Sequence, residues 1–210
     1  MGDLLLEDVD DLEFPDDAHV TSTGISNEKL GMWVYLASDC LLFGGMISTY
    51  LIYKNRPGEI PGLAGNPNKV SEYFDIPFTS MTSFILLMSS LTMVFAVNSI
   101  LRDDLSRMRL WLTSTAVLGG LFLAGQIYEF RIFVVNDSMG FTSNVASSAF
   151  FALTGLHGVH VVIGVIMLLS VLALSFGRRI RAEAVEVVGL YWHFVDIVWV
   201  LIFTIVYLIP

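Results

Sequence analysis

Five long stretches of this chain are almost free of charge, and they decide what it can fold into. The first runs from Leu30 to Tyr53, between Lys29 and Lys54, with Asp39 its only formal charge. The second, Ile76 to Leu101, has none. The third runs from Leu110 to about Val135, with Glu129 and Arg131 near its end. The fourth lies inside the uncharged interval Ser138–Gly177; Ser138 to Asn144 read as loop, so the helix starts near Ala146. The fifth runs from about Glu183 to Leu208, with Glu186 near its start and Asp196 inside it. A hydrocarbon core of roughly 30 Å needs about 20 helical residues, and all five meet that. The fourth is longer than needed, which implies tilt or projection beyond the core. Barrel strands would alternate in polarity over about ten residues, and nothing here does. The expected fold is all-α: five transmembrane helices in one bundle, at about 30–54, 76–101, 109–135, 146–177 and 183–208, within a domain spanning 29–210.

Composition agrees. Charged residues make up 15% of the chain, against about 25% in a soluble domain. That excludes most soluble enzymes and leaves no room for a large extramembrane catalytic domain. The net charge of -9 is unevenly placed. Nine of the twenty carboxylates fall in residues 1–28, which hold no Lys or Arg; the remainder carries eleven acids and eleven bases. Residues 1–28 therefore read as an acidic tail, either simply solvated or docking on a basic surface of a partner. With no basic n-region and no apolar run longer than Leu4–Leu6, the tail is not a signal peptide. Nucleic acid is excluded as a partner for want of a basic patch. The lone Cys40 says little.

The connections differ in kind. Asn55–Asp75 is rich in Pro and Gly and reads as a surface loop. Arg102–Arg109 and Arg178–Arg181 are short and basic, Asn136–Val145 is polar, and the chain is expected to end with its last helix. No internal or inverted repeat is evident. Five spans put the termini on opposite sides. Lys29, Arg102, Arg107, Arg109, Arg178, Arg179 and Arg181 share the N-terminal side; Lys54, Arg56, Lys69 and Arg131 share the other. The excess predicts a cytoplasmic N-terminus and an extracytoplasmic, periplasmic C-terminus.

Ionisable groups in hydrocarbon are costly and so are functional candidates. Six stand out: Asp39, Glu129, His157, His160, His193 and Asp196. His157 and His160 share a helix face, as do His193 and Asp196, and Gln126 and Glu129. One account is a hydrogen-bonded network tying the third, fourth and fifth helices together. Others are proton handling, or a metal or haem held by the histidines, although no Glu-x-x-His pair of the di-iron kind is present. Asp39 has no basic residue within a turn of it. It is either a structural carboxylic acid or a group that exchanges protons.

Ala116, Gly120 and Ala124, the pair Gly44 and Ser48, and Gly155, Gly158 and Gly164 are read as close helix-packing positions. Trp192 and Trp199, seven apart, share a stripe and are read as packing or as a partner surface. No nucleophile–base pair, phosphate loop or specific metal motif appears. On residues alone, the chain is a small transporter or a subunit of something larger.

Four motifs narrow this. Tyr191-Trp192-His193-Phe194-Val195-Asp196-Ile197-Val198-Trp199, followed by Phe203-Thr204-Ile205-Val206-Tyr207, resembles the C-terminal signature of subunit III of haem–copper oxygen reductases. So do Ala149 to Val161, with Gly155-Leu156-His157-Gly158-Val159-His160; Gln126-Ile127-Tyr128-Glu129-Phe130; and Ser38-Asp39-Cys40-Leu41-Leu42-Phe43. They occur in family order, and the chain is similar to the bacterial five-helix form. The resemblance implies a non-catalytic subunit of a proton-pumping oxidase that reduces O2 to water with electrons from cytochrome c or quinol, in a bacterial cytoplasmic membrane. It implies no cofactor or metal on this chain, haem and copper in subunits I and II, contact chiefly with subunit I, and bound phospholipid. It also implies support of proton uptake. Asp39 matches the family's intramembrane carboxylate, Glu in many members. Glu129, Gln126, His157, His160, His193 and Asp196 then belong to an interhelical polar network or the supports of a lipid cleft. The alternatives are a stand-alone proton-coupled transporter using Asp39, Glu129 and the histidines as a relay, and a membrane haem b protein that ligates through His160 and His193.

Overall fold

The structure, a computed structural model, describes residues 26–54, 75–135, 145–177 and 180–209. The acidic tail up to residue 25, the Pro- and Gly-rich loop 55–74, the polar segment 136–144 and Arg178 and Arg179 lie outside the described residues. Five helices account for nearly all the rest: α1 Asn27–Tyr53, α2 Ile76–Leu101, α3 Leu105–Val135, α4 Val145–Gly177 and α5 Ala182–Phe203, which runs on into a π-helical turn, Thr204–Leu208. All five are long and apolar enough to cross a membrane. The expectation of an all-α, five-span bundle is met.

Short polar side chains start the helices. Ser26 caps α1 by accepting from the Lys29 amide at 3.4 Å, which meets one of the first-turn donors that lack an intrahelical acceptor. Asp75 caps α2 by accepting from the Phe78 amide at 3.3 Å, and Pro77 sits in the first turn, where its missing N–H costs nothing. The third helix departs from expectation. It begins at Leu105, not near 109, so the basic segment Arg102–Arg109 is mostly helix. Asp104 makes the difference: its Oδ1 accepts from the Arg107 amide at 3.0 Å and its carboxylate pairs with the Arg107 guanidinium at 3.1 Å. The chain reverses over Arg102–Asp104, with Asp103 in the left-handed region at φ 58°. Arg107 and Arg109 lower the local hydropathy without weakening the helix.

Packing contacts run in a ring. α2 packs against α3, α3 against α4, α4 against α5 and α5 against α2. α1 lies outside this ring, in the groove between α4 and α5. Its buried stripe is Leu36, Asp39, Phe43 and Tyr50, at helical spacing. Only 17% of its apolar window is buried, against 50% for α5.

Two tryptophans fill the centre of the ring. The Trp192 indole lies between α3 and α4: a Cβ added at Gly119 would stand 2.5 Å from its Cη2, and one at Gly164 2.9 Å from its Cε3. Its Nε1 donates to Ser89 Oγ of α2 at 3.0 Å. Two turns on, Trp199 Nε1 donates to Ser83 Oγ at 2.8 Å, and its ring meets Phe122 edge-on at 4.8 Å. Both stripe residues are thus core, each 1% exposed.

The small residues divide differently from the sequence expectation. Gly158 and Gly164 pack internally, against Gln126 and Trp192. Gly44, Gly120 and Gly155 have open space where a Cβ would stand, and Ser48 and Ala124 are exposed. On α3 the close approaches are made instead by Gly119 and by Gly125, whose Cβ would lie 2.7 Å from Thr82 Cγ2.

Candidate functional site

The buried ionisable residues do not form one network. They occupy separate interfaces between pairs of helices, and α1 and α2 take part as much as α3 to α5.

Asp39 of α1 meets His160 of α4. Asp39 Oδ2 and His160 Nε2 are 3.4 Å apart, and both residues are 6% exposed. His160 Nδ1 lies 2.9 Å from the Leu156 carbonyl, which can only accept. Nδ1 therefore carries a proton, and Nε2 is the nitrogen turned to the carboxyl. At 3.4 Å the two atoms face each other without a hydrogen bond, and Oδ2 has no hydrogen-bond partner among the described residues. The Phe43 ring packs at 5.1 Å from His160 and shields the pair. Tyr191 of α5 donates to the His160 carbonyl at 3.0 Å, and Tyr35 interacts with the Asp39 carboxyl.

His157 shares the face of His160 but not its chemistry. It is 0% exposed, and neither ring nitrogen has a hydrogen-bond partner among the described residues. Its ring stacks on Trp199 at 5.0 Å, with the Phe122 ring edge-on at 6.0 Å. The surroundings are those of an aromatic filler. Gln126 ties α3 to α4, with Nε2 donating to the Thr154 carbonyl at 2.7 Å, while Oε1 has no partner among the described residues.

Glu129 sits near the other end of the bundle. Thr79 Oγ1 of α2 donates to Glu129 Oε1 at 2.7 Å. The Tyr207 hydroxyl, carried by the π-helical turn, also hydrogen-bonds this carboxyl. Glu129 thus joins α3, α2 and the C-terminal turn. Close by, Lys54 Nζ donates to the Ile209 carbonyl at 2.6 Å and ties the end of α1 to the same turn. Burial holds the Lys54 ammonium below the usual lysine range.

The third carboxyl, Asp196 of α5, points to α2. Ser90 Oγ lies 2.6 Å from His193 Nδ1 and interacts with Asp196 as well. His160 and His193 are engaged on different helices, α1 and α2, and do not face each other as a haem-ligating pair would. Among the described residues no group of three or more His, Cys, Asp or Glu side chains is placed to hold a metal ion.

Sequence reasoning missed the hydroxyls of α2. Thr79, Ser83, Ser89 and Ser90 supply partners to Glu129, Trp199, Trp192 and His193. The signal was present, as a stripe of Ser and Thr in a helix without charge.

Comparison with known proteins covers the same region. A family model described as cytochrome c oxidase subunit III matches residues 15–209. The chain is 38% identical over 185 residues to cytochrome c oxidase subunit 3 of Bacillus sp. (strain PS3), covering 87% of this chain and 86% of that protein. It is 34% identical to a probable quinol oxidase subunit 3 of Staphylococcus saprophyticus over 86% of this chain and 88% of that one. To the cytochrome bo(3) ubiquinol oxidase subunit 3 of Pseudomonas aeruginosa it is 33% identical, over 92% and 90%.

Proposed function

The chain belongs to the cytochrome c oxidase subunit III family, and on that premise we propose that it is the non-catalytic third subunit of a proton-pumping terminal oxidase in a bacterial cytoplasmic membrane. The observation that carries this is a family match that runs from the acidic tail to the penultimate residue, with relatives of similar length. The transporter alternative has no counterpart in it. Relatives named for cytochrome c and for quinol both match at 33–38% identity, so this subunit type serves both classes of donor.

In this reading the chain binds no haem or copper. Those centres belong to subunits I and II, and subunit I is the main contact. The N-terminus is cytoplasmic, as the basic excess on its side supports. Phospholipid covers the exposed apolar faces. Asp39 with His160, Glu129 with Thr79 and Tyr207, and Asp196 and His193 with Ser90 lock helix against helix, and the carboxyls support proton supply to subunit I. Burying three carboxyls is expensive unless each is partnered, and each has a partner here.

The test is an affinity pull-down from native membranes in mild detergent, with a reduced-minus-oxidised spectrum and oxygen uptake. Co-purification of two larger subunits, haem, copper and oxygen reductase activity is expected. A chain that comes down alone and colourless overturns the proposal. Oxidation of quinol against that of cytochrome c then identifies the donor.

A further inference from the structure

A chain of three side chains on the α2–α5 face has more than a locking role to play. His193 lines a groove of about 650 Å³ between α2 and α5. Lys29, in the first turn of α1, and Leu101, the last residue of α2, also line it. The groove therefore lies at the end of the bundle where α1 begins. His193 is half-buried, and its Nδ1 is taken by Ser90 at 2.6 Å. Nε2 is the ring nitrogen left for the groove. Ser90 also interacts with Asp196, which is 6% exposed and whose Oδ1 lacks a hydrogen-bond partner among the described residues.

We propose that His193, Ser90 and Asp196 form a proton relay that loads the buried Asp196 carboxyl from water in the α2–α5 groove. Hydrogen-bond counting supplies the direction. A serine hydroxyl has one proton and two lone pairs. When His193 Nδ1–H donates to Ser90 Oγ, the Ser90 proton is free to point at the Asp196 carboxylate. A proton arriving from water at Nε2 then allows the Nδ1 proton to pass to Oγ and the Oγ proton to pass to Asp196. One proton enters, one is delivered, and the imidazole ends neutral as its other tautomer. Rotation of the hydroxyl and return of the tautomer reset the relay.

Charges around the route are balanced. The ionisable groups facing His193 across the groove are Lys29 of α1 and Glu186 of α5, which pair with each other. α2 presents Ser90 and Asn98, neither of which ionises. Among the described residues that line the groove, no unpaired charge stands at the mouth. A purely structural aspartate would be expected to have both oxygens satisfied; Asp196 has one oxygen spare.

The relay rests on the reading of the chain as part of a proton-translocating complex, but its test is independent of that reading, because it is made on the chain's own carboxyl. The purified complex, or the chain itself if it comes alone, is switched from H2O to D2O while infrared difference spectra are recorded. The Asp196 carboxyl band is assigned by its loss in Asp196→Asn, or by its displacement in Asp196→Glu should the first variant fail to assemble. In the wild type the band shifts within the mixing time. Ser90→Ala, which keeps both titratable groups and removes the link, slows the shift by about 10²-fold, the scale of one positioned proton-transfer group. Ser90→Thr restores it. A band that exchanges equally fast in Ser90→Ala, or that never exchanges in the wild type, overturns the relay.

Discussion

Gly119 and Gly120 are neighbours in sequence, and the structure gives them opposite fates. Gly119→Ala places a methyl 2.5 Å from Trp192 Cη2 and 2.8 Å from Cζ2. The indole cannot retreat toward α4, because Gly164 already meets its other edge at 2.9 Å from a notional Cβ. Overpacking of this kind costs about 1–3 kcal/mol. Displacing the ring also strains the Nε1–Ser89 bond, worth about 1 kcal/mol. Gly120→Ala meets nothing within 4 Å. Both substitutions gain the same helix propensity, about 1 kcal/mol at most, so that term cancels in the comparison. Gly119→Ala is therefore less stable than Gly120→Ala by about 2–4 kcal/mol. That is at least roughly 25-fold in the unfolding constant. The assay is an SDS titration of the purified chain in mixed micelles, followed by tryptophan fluorescence. Equal midpoints for the two variants would refute the placement of Trp192 between α3 and α4.

Three further outcomes follow from the polar sites. Thr79→Val removes the donor to Glu129 Oε1 while keeping the shape, and should destabilise the chain by about 1–3 kcal/mol in the same titration; Thr79→Ser should recover most of that loss. A double-mutant cycle of Asp39→Asn with His160→Ala should give a coupling of about 0.5–3 kcal/mol, since the two buried groups face each other at 3.4 Å; zero coupling would mean that they do not interact. In the assembled oxidase, Asp39→Ala should leave the haem spectra unchanged and alter proton pumping or turnover lifetime. A variant that pumps and survives turnover like the wild type would remove Asp39 from any part in proton supply.

What the sequence made legible was set by length and charge. Long apolar stretches with at most two or three charges in each are spans, and all five were found from that pattern. Boundaries were less secure where charge and helix coincide, as at Asp104 and Arg107. Register was not legible. A rotation of 100° separates Gly119 from Gly120, and a small-residue spacing cannot say which of the two faces a tryptophan two helices away in sequence. Partner identity was legible only in part. Three apart on one helix does put His157 and His160 on one face, but the residues opposite decide their roles, and there Asp39 meets one while Trp199 and Phe122 meet the other. The hydroxyls of α2 were hidden for a further reason. Ser and Thr in a helix also bond their own preceding turn, as Ser83 does with the Thr79 carbonyl at 2.6 Å, so composition alone does not separate a partner from a self-satisfied side chain.

The placement of α1 shows what the costly charges achieve. Four buried residues are a small interface for a helix of 27 residues, and in lipid, apolar burial offers little drive for one helix to prefer another. Polar pins stand along its whole length instead. Lys29 pairs with Glu186 at one end, Asp39 with His160 in the middle, and Lys54 with the Ile209 carbonyl at the other end. The outer two are 25 residues apart, about 37 Å of helix, which is more than the roughly 30 Å of the hydrocarbon core. A slip of one turn, about 5.4 Å, would break all three at once and leave a carboxyl unpaired in hydrocarbon. A one-residue slip would also rotate Phe43 and Tyr50 out of the α4–α5 groove. Apolar contact alone would tolerate either slip far better. The pins therefore fix the axial register and the rotation of α1 together. They also fix which residues α1 turns outward, Val34, Leu41 and Ile52 among them. For a subunit whose work is done against other membrane subunits, a defined outer face matters more than the stability of the helix that carries it, which is a physical reason to keep an aspartate where leucine would cost less.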